Sequence, residues 1–123
     1  VPSGFHAGGL RYHGMAPIVS HLVNHKYISH ESYSQLDVFK AGVLFAKHEG
    51  IIPAPEANHA VKGAIEAAMR AKESGEKKTI LFNLCGHGNF DMQAYIDYFE
   101  GKLFDQEYSD EEIGMALSGL PSV

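Results

Sequence analysis

The sequence predicts an α/β fold in which helices pack on few parallel strands, with residues 1–123 forming a single segment of a larger domain. Three observations carry that reading. Residues 80–84, Ile-Leu-Phe-Asn-Leu, are a short apolar run closed by Cys85, Gly86, His87 and Gly88, and an amphipathic stretch follows. That is the pattern of a buried strand feeding a helix. Residues 35–49 and 55–74 carry apolar side chains at helical spacing between start and stop signals. The stronger elements therefore run helix, helix, strand, helix, helix. A lone parallel-type strand can neither complete its ladder nor cover both faces, so the sheet is expected to extend beyond this segment.

Residues 1–17 contain Gly4, Gly8, Gly9 and Gly14 with Pro2 and Pro17. No helical or alternating period survives that density, and an ordered loop is expected. Its His6, Arg11, Tyr12 and His13 are bulky polar groups between glycines, as in a loop that lines a site or in a plain surface loop. Pro17 opens a short helix over 18–24, with Ile18, Leu22 and Val19 turned inward. A short strand is placed at 26–32.

Ser34 then caps a helix, with Asp37 at its third position. Leu36, Phe39, Val43 and Ala46 share one face, widened by Val38 and Phe45. The helix ends at Glu49, because Gly50 suits the left-handed conformation that follows a helix. Ile51 and Ile52 make a brief apolar crossing, and Pro53 and Pro55 prevent a continuous helix. Pro55 and Glu56 begin the next helix, which keeps Ala57, Ala60, Val61, Ala64, Ile65, Ala68 and Met69 in register to about Ser74. Gly75 ends it. Beyond the glycine turn, 91–99 is amphipathic, with Met92, Tyr95, Ile96 and Phe99 on one side and Gly101 as its stop. Residues 102–108 form an acidic-aromatic connection. Ser109 with Glu112 makes a capping box for a last helix over 110–119.

At 123 residues, with 45% hydrophobic and 20% charged side chains, the composition is that of an ordinary globular chain. A net charge of −5 argues against a nucleic-acid surface, which needs a basic face. No apolar stretch approaches the ~20 residues of a membrane span, and the first residues lack a signal-peptide pattern. One cysteine excludes an internal disulfide and points to a reducing, cytoplasmic setting.

Ligands of α/β proteins sit at the carboxyl ends of strands, which makes residues 85–89 the first place to look for a site. Cys85 has three readings: a nucleophile served by a histidine, an inert half-buried thiol, or a weak hydrogen-bond partner for a bound heteroaromatic ring. Gly86-x-Gly88 before a helix also fits a phosphate cradle, although many strand-to-helix turns look alike. Glu49 places an acid where the helix dipole favours a cation, against the plainer reading of a surface glutamate. His21 and His25 have metal-compatible spacing. No third ligand accompanies them, so a solvated helix face is expected and no metal is assigned.

Three blocks, HAGGLRYHGMAP from His6, KHEGIIPAPEANHAV from Lys47 and ILFNLCGHGNFD from Ile80, resemble the C-terminal third of the tryptophan synthase beta chain. The likeness is to its second, stand-alone-type branch, and it spans essentially the whole chain. It implies a pyridoxal-phosphate enzyme of the second fold type that joins L-serine and indole into L-tryptophan. It also implies a homodimer, an alpha-type subunit as a further partner, and a Schiff-base lysine upstream, so that no catalytic residue lies in this segment. By the same resemblance, Glu49 and Gly50 lie near the cofactor ring, Cys85 stands where the family has a serine facing the pyridine nitrogen, and Gly86, His87 and Gly88 form the turn beside it. Arg11, Tyr12 and His13 fall on the substrate side. A thiol is a weaker hydrogen-bonding group than the hydroxyl it replaces. The isolated chain is expected to be inactive. The alternative is an independently folding, non-catalytic domain that binds a ligand or partner; another lyase of the same fold type is disfavoured by the RYHGMAP block.

Overall fold

In the computed structural model, the described residues are 6–10, 14–105 and 109–119. Among them the chain forms five α-helices: α1 (Pro17–Asn24), α2 (Gln35–Glu49), α3 (Pro55–Ser74), α4 (Met92–Phe99) and α5 (Asp110–Leu117). Single 3₁₀ turns occur at Gly8–Leu10 and Gly88–Phe90.

The punctuation read from the sequence shapes these helices. The Ser34 hydroxyl accepts the Asp37 amide at the start of α2, and α3 starts on Pro55. Gly50 and Gly75 close the two helices in the left-handed conformation, at φ of 71° and 72°. At α5 the capping box is complete, with Ser109 and Glu112 each binding the other's backbone amide. The N-terminus of α2 also gains distant partners. Asp105 Oδ1 accepts the Leu36 amide at 2.9 Å. The buried Gln35 side chain accepts the His6 amide at 2.8 Å and donates to the Phe104 carbonyl at 3.1 Å.

The α2–α3 pair is the scaffold. Val38 and Phe39 of α2 pack with Ala94 and Tyr95 of α4 and with Leu103, flanked by Tyr33, Val43, Ile52 and Tyr98. Phe39 meets the Tyr95 ring edge-on at 5.1 Å and stacks on Tyr98 at 5.6 Å, pairs worth about 1 kcal/mol each beyond the area they bury.

Two expectations need correction. No strand forms among the described residues: 26–32 is turn and irregular backbone, and 80–84 is irregular backbone without a ladder partner. The intended buried strand is instead largely open, with Leu81 93% exposed. Ladder bonds need a neighbouring strand, and no described segment supplies one. Phe82 alone finds a ring partner, Phe45 of α2, at 5.9 Å. The helices consequently carry the described core, in keeping with a sheet expected to extend beyond this segment.

The inward faces are also narrower than their periodicity suggests. Ile18, Val19, Leu36, Ala68, Met69, Met92, Ile96 and Phe99 are exposed. α2, α3 and α4 each bury only part of their apolar stripe, and α1 and α5 bury no residue. No helix among the described residues is long and apolar enough to cross a membrane.

Candidate functional site

The chain leaves α2 through the left-handed Gly50 and runs extended over 51–54 into α3. Against this stretch lies the glycine corner at 85–88. The Ala54 amide donates to the Gly86 carbonyl at 2.9 Å, and the Gly88 amide donates to the Ile52 carbonyl at 2.7 Å. These two bonds flank an antiparallel bridge between Pro53 and His87. Pro53 occupies the position whose nitrogen is not asked to donate, which is why a proline fits here. Two sequence blocks more than 30 residues apart, one holding Glu49 and Gly50 and the other Cys85 to Gly88, are thereby joined.

Gly88 is required by this approach. A Cβ on it would stand 2.5 Å from the Pro53 carbonyl oxygen and 2.8 Å from Ile52 Cγ2. Beneath the corner, the Tyr95 hydroxyl donates to that same Pro53 oxygen at 2.6 Å and accepts from Asn58 Nδ2 at 3.0 Å. Burial pushes the Tyr95 phenol above its usual value, the Asn58 hydrogen bond opposes that shift, and nearby Asp91 adds to it.

The candidate side chains stand at the rim. Cys85 is exposed, not half-buried as expected, because the run leading to it has no sheet around it. Glu49 is the last residue of α2 and is exposed. His87 Nδ1 accepts the Asn89 amide at 3.2 Å and so caps the following 3₁₀ turn. That engagement takes the nitrogen away from service as a base for the neighbouring thiol, which weakens the nucleophile reading. The phosphate-cradle reading is weakened too, since the Gly88 amide is spent on Ile52.

Arg11, Tyr12 and His13 lie outside the described residues. The turn before them is docked: the Gly9 amide donates to Glu56 Oε1 at 2.9 Å, on the first turn of α3. His21 and His25 lie with ring centroids 4.2 Å apart. Among the described residues no group of three or more His, Cys, Asp or Glu is placed to hold a metal ion.

Sequence reasoning missed Asn58, Glu56 and the inward hydroxyl of Tyr95. A signal existed for Asn58, a polar residue set between Ala57 and Val61 on an otherwise apolar face.

What the corner offers a cofactor is one wall. An exposed thiol sits at the end of a paired backbone, with an acid and a glycine at the other end of the paired segment. Such a wall suits the edge of a heteroaromatic ring better than a phosphate, for which a free cluster of amide donors is needed.

Comparison with known proteins bears out the resemblance read from the three blocks. No family model matches the chain. The chain is 58% identical over 105 residues to the tryptophan synthase beta chain 2 of Aquifex aeolicus, a match covering 85% of this chain and 24% of that protein. It is 58% identical over 102 residues to the tryptophan synthase beta chain of Thermococcus gammatolerans, covering 83% and 23%. Against the tryptophan synthase beta chain of Pyrococcus horikoshii the identity is 55% over 111 residues, covering 90% and 24%. The matched stretch is the C-terminal part of these proteins. The chain thus spans about a quarter of the length of the relatives it matches.

Proposed function

We propose that this chain, similar over most of its length to the C-terminal part of tryptophan synthase beta chains, forms the ring-facing wall of the cofactor site in such an enzyme. Tryptophan synthase beta chains are pyridoxal-phosphate enzymes. When bound, that cofactor supplies an electron sink for replacement at the β-carbon of an amino acid. The reaction assigned here joins L-serine and indole to give L-tryptophan, in the cytoplasm. The assembly proposed is a homodimer of full-length, second-fold-type chains, with an alpha-type subunit as a further partner.

The observation that carries this reading is the pairing of 51–54 with 85–88, which joins two of the three matching blocks and leaves the Cys85 thiol open beside them. In this role the Cys85 Sγ faces the ring nitrogen. A cysteine there, in place of a carboxylate, would be a poor acceptor for a proton held on that nitrogen, which would favour elimination and replacement over transamination. Gly86 and Gly88 keep the backbone close, His87 caps the turn, and Glu49 with Gly50 borders the ring from the end of α2. Arg11, Tyr12 and His13 are assigned to the substrate side. The lysine that holds the cofactor is assigned to a part of the enzyme outside this chain.

The competing reading is an independent, non-catalytic binding domain. It is disfavoured by the apolar run at 80–84, which has no ladder partner among the described residues and leaves Leu81 almost wholly exposed.

The test is direct. The isolated chain, treated with pyridoxal phosphate and borohydride, should show neither tryptophan formation nor stoichiometric covalent labelling of one lysine. The full-length enzyme should show both. A single lysine of the isolated chain labelled to stoichiometry would sink the assignment.

A further inference from the structure

We infer that Tyr95, braced by Asn58, is a positioning residue that fixes the glycine corner at 85–88; its consequence for cofactor binding rests on the function proposed above. The two backbone bonds of the corner, Ala54 to Gly86 and Gly88 to Ile52, lie on either side of Pro53. The Tyr95 hydroxyl grips the crossing at its middle residue, through the Pro53 carbonyl oxygen 2.6 Å away. Asn58 is fully buried and donates to that hydroxyl at 3.0 Å, so the phenol oxygen is held from α3 while it holds the loop. The ring itself closes the arrangement: Tyr95 Cε2 lies 3.1 Å from where a Cβ on Gly88 would stand, and Phe39 backs the ring at 5.1 Å.

Packing alone does not account for this. A phenylalanine at 95 would fill the same space and bury the same apolar surface. What it would lose is the donor that satisfies the buried end of Pro53, and it would strand the amide of Asn58. The hydroxyl therefore acts on the position of the corner, through one carbonyl.

The experiment compares Tyr95→Phe, Asn58→Ala and the packing control Phe39→Leu by amide hydrogen exchange in the full-length enzyme. In Tyr95→Phe, the Gly88 and Ala54 amides should exchange about three- to tenfold faster while mid-α3 amides keep their rates. Asn58→Ala, which leaves the bond to Pro53, should give a smaller selective change. Phe39→Leu should speed core and corner amides together. In the full-length enzyme, Tyr95→Phe should weaken pyridoxal-phosphate binding by about the same factor and shift the bound cofactor's absorption maximum. Phe39→Leu, at a matched melting temperature, should not. Unchanged exchange at Gly88 and Ala54 would overturn the inference, as would a Tyr95→Phe enzyme with native affinity and spectrum. Selective exchange combined with no cofactor binding by the unmutated enzyme would leave the grip standing and remove the proposed function.

Discussion

Gly42 of α2 and Asn58 of α3 meet so closely that a methyl group on Gly42 would lie 2.0 Å from Asn58 Oδ1. Asn58 cannot swing aside, because it is fully buried and bonded to Tyr95. Gly42→Ala should therefore destabilise the chain by about 1–3 kcal/mol through overpacking, despite alanine's better helix propensity. Urea unfolding followed by circular dichroism measures it. A stabilised variant would show that the two helices can part at no cost.

Gly88 and Gly50 separate two reasons for a glycine. A Cβ on Gly88 would strike the Pro53 carbonyl, whereas one on Gly50 would meet nothing within 4 Å. Gly88→Ala should cost about 1–3 kcal/mol and expose the Ala54 amide to exchange. Gly50→Ala, strained only by its φ of 71°, should cost about 1 kcal/mol and leave that amide protected.

Burial holds the half-buried His59 imidazole below its usual value of 6.5, outweighing its bond to the Pro55 carbonyl. As pH falls, the unfolded chain binds the proton first. The stability tied to His59 is present in full above pH 6.5 and drains away between 6.5 and the lower folded value. Glu66 and Glu112, held below 4.5 by hydrogen bonds from Lys62 and Ser109, add their losses only beneath that pH. Unfolding free energy measured from pH 7.5 to 5 should decline below ~6.5, and His59→Gln should flatten the decline. An unchanged slope in the variant would assign the effect elsewhere.

None of the residues of α5 is buried, so its cap is the main thing that holds it. Ser109→Ala should remove about 1 kcal/mol of helix stability and lower the helical ellipticity. The amides of α2 and α3 should keep their protection, because α5 makes no substantial packing against them. Loss of protection throughout would mean that the last helix is coupled to the core.

Local chemistry was legible in the sequence. Ser34, Pro55, Gly50, Gly75 and the Ser109–Glu112 box set the helix ends where they are found, because caps and left-handed turns depend on a few neighbouring residues. The resemblance to tryptophan synthase beta chains was legible as well, and the comparison bears it out at 58% identity over 105 residues. The tertiary structure decided which apolar residues are covered. Periodicity marks Leu81, Met92 and Ile96 as fit for burial, but burial needs a surface to meet, and none of the described segments provides it. It also decided that Pro53 lies against His87 and that the Tyr95 hydroxyl holds the crossing from below, a bond spanning 42 residues. No local pattern encodes such a contact, since it exists only once α3 and α4 have placed Asn58 and Tyr95 side by side.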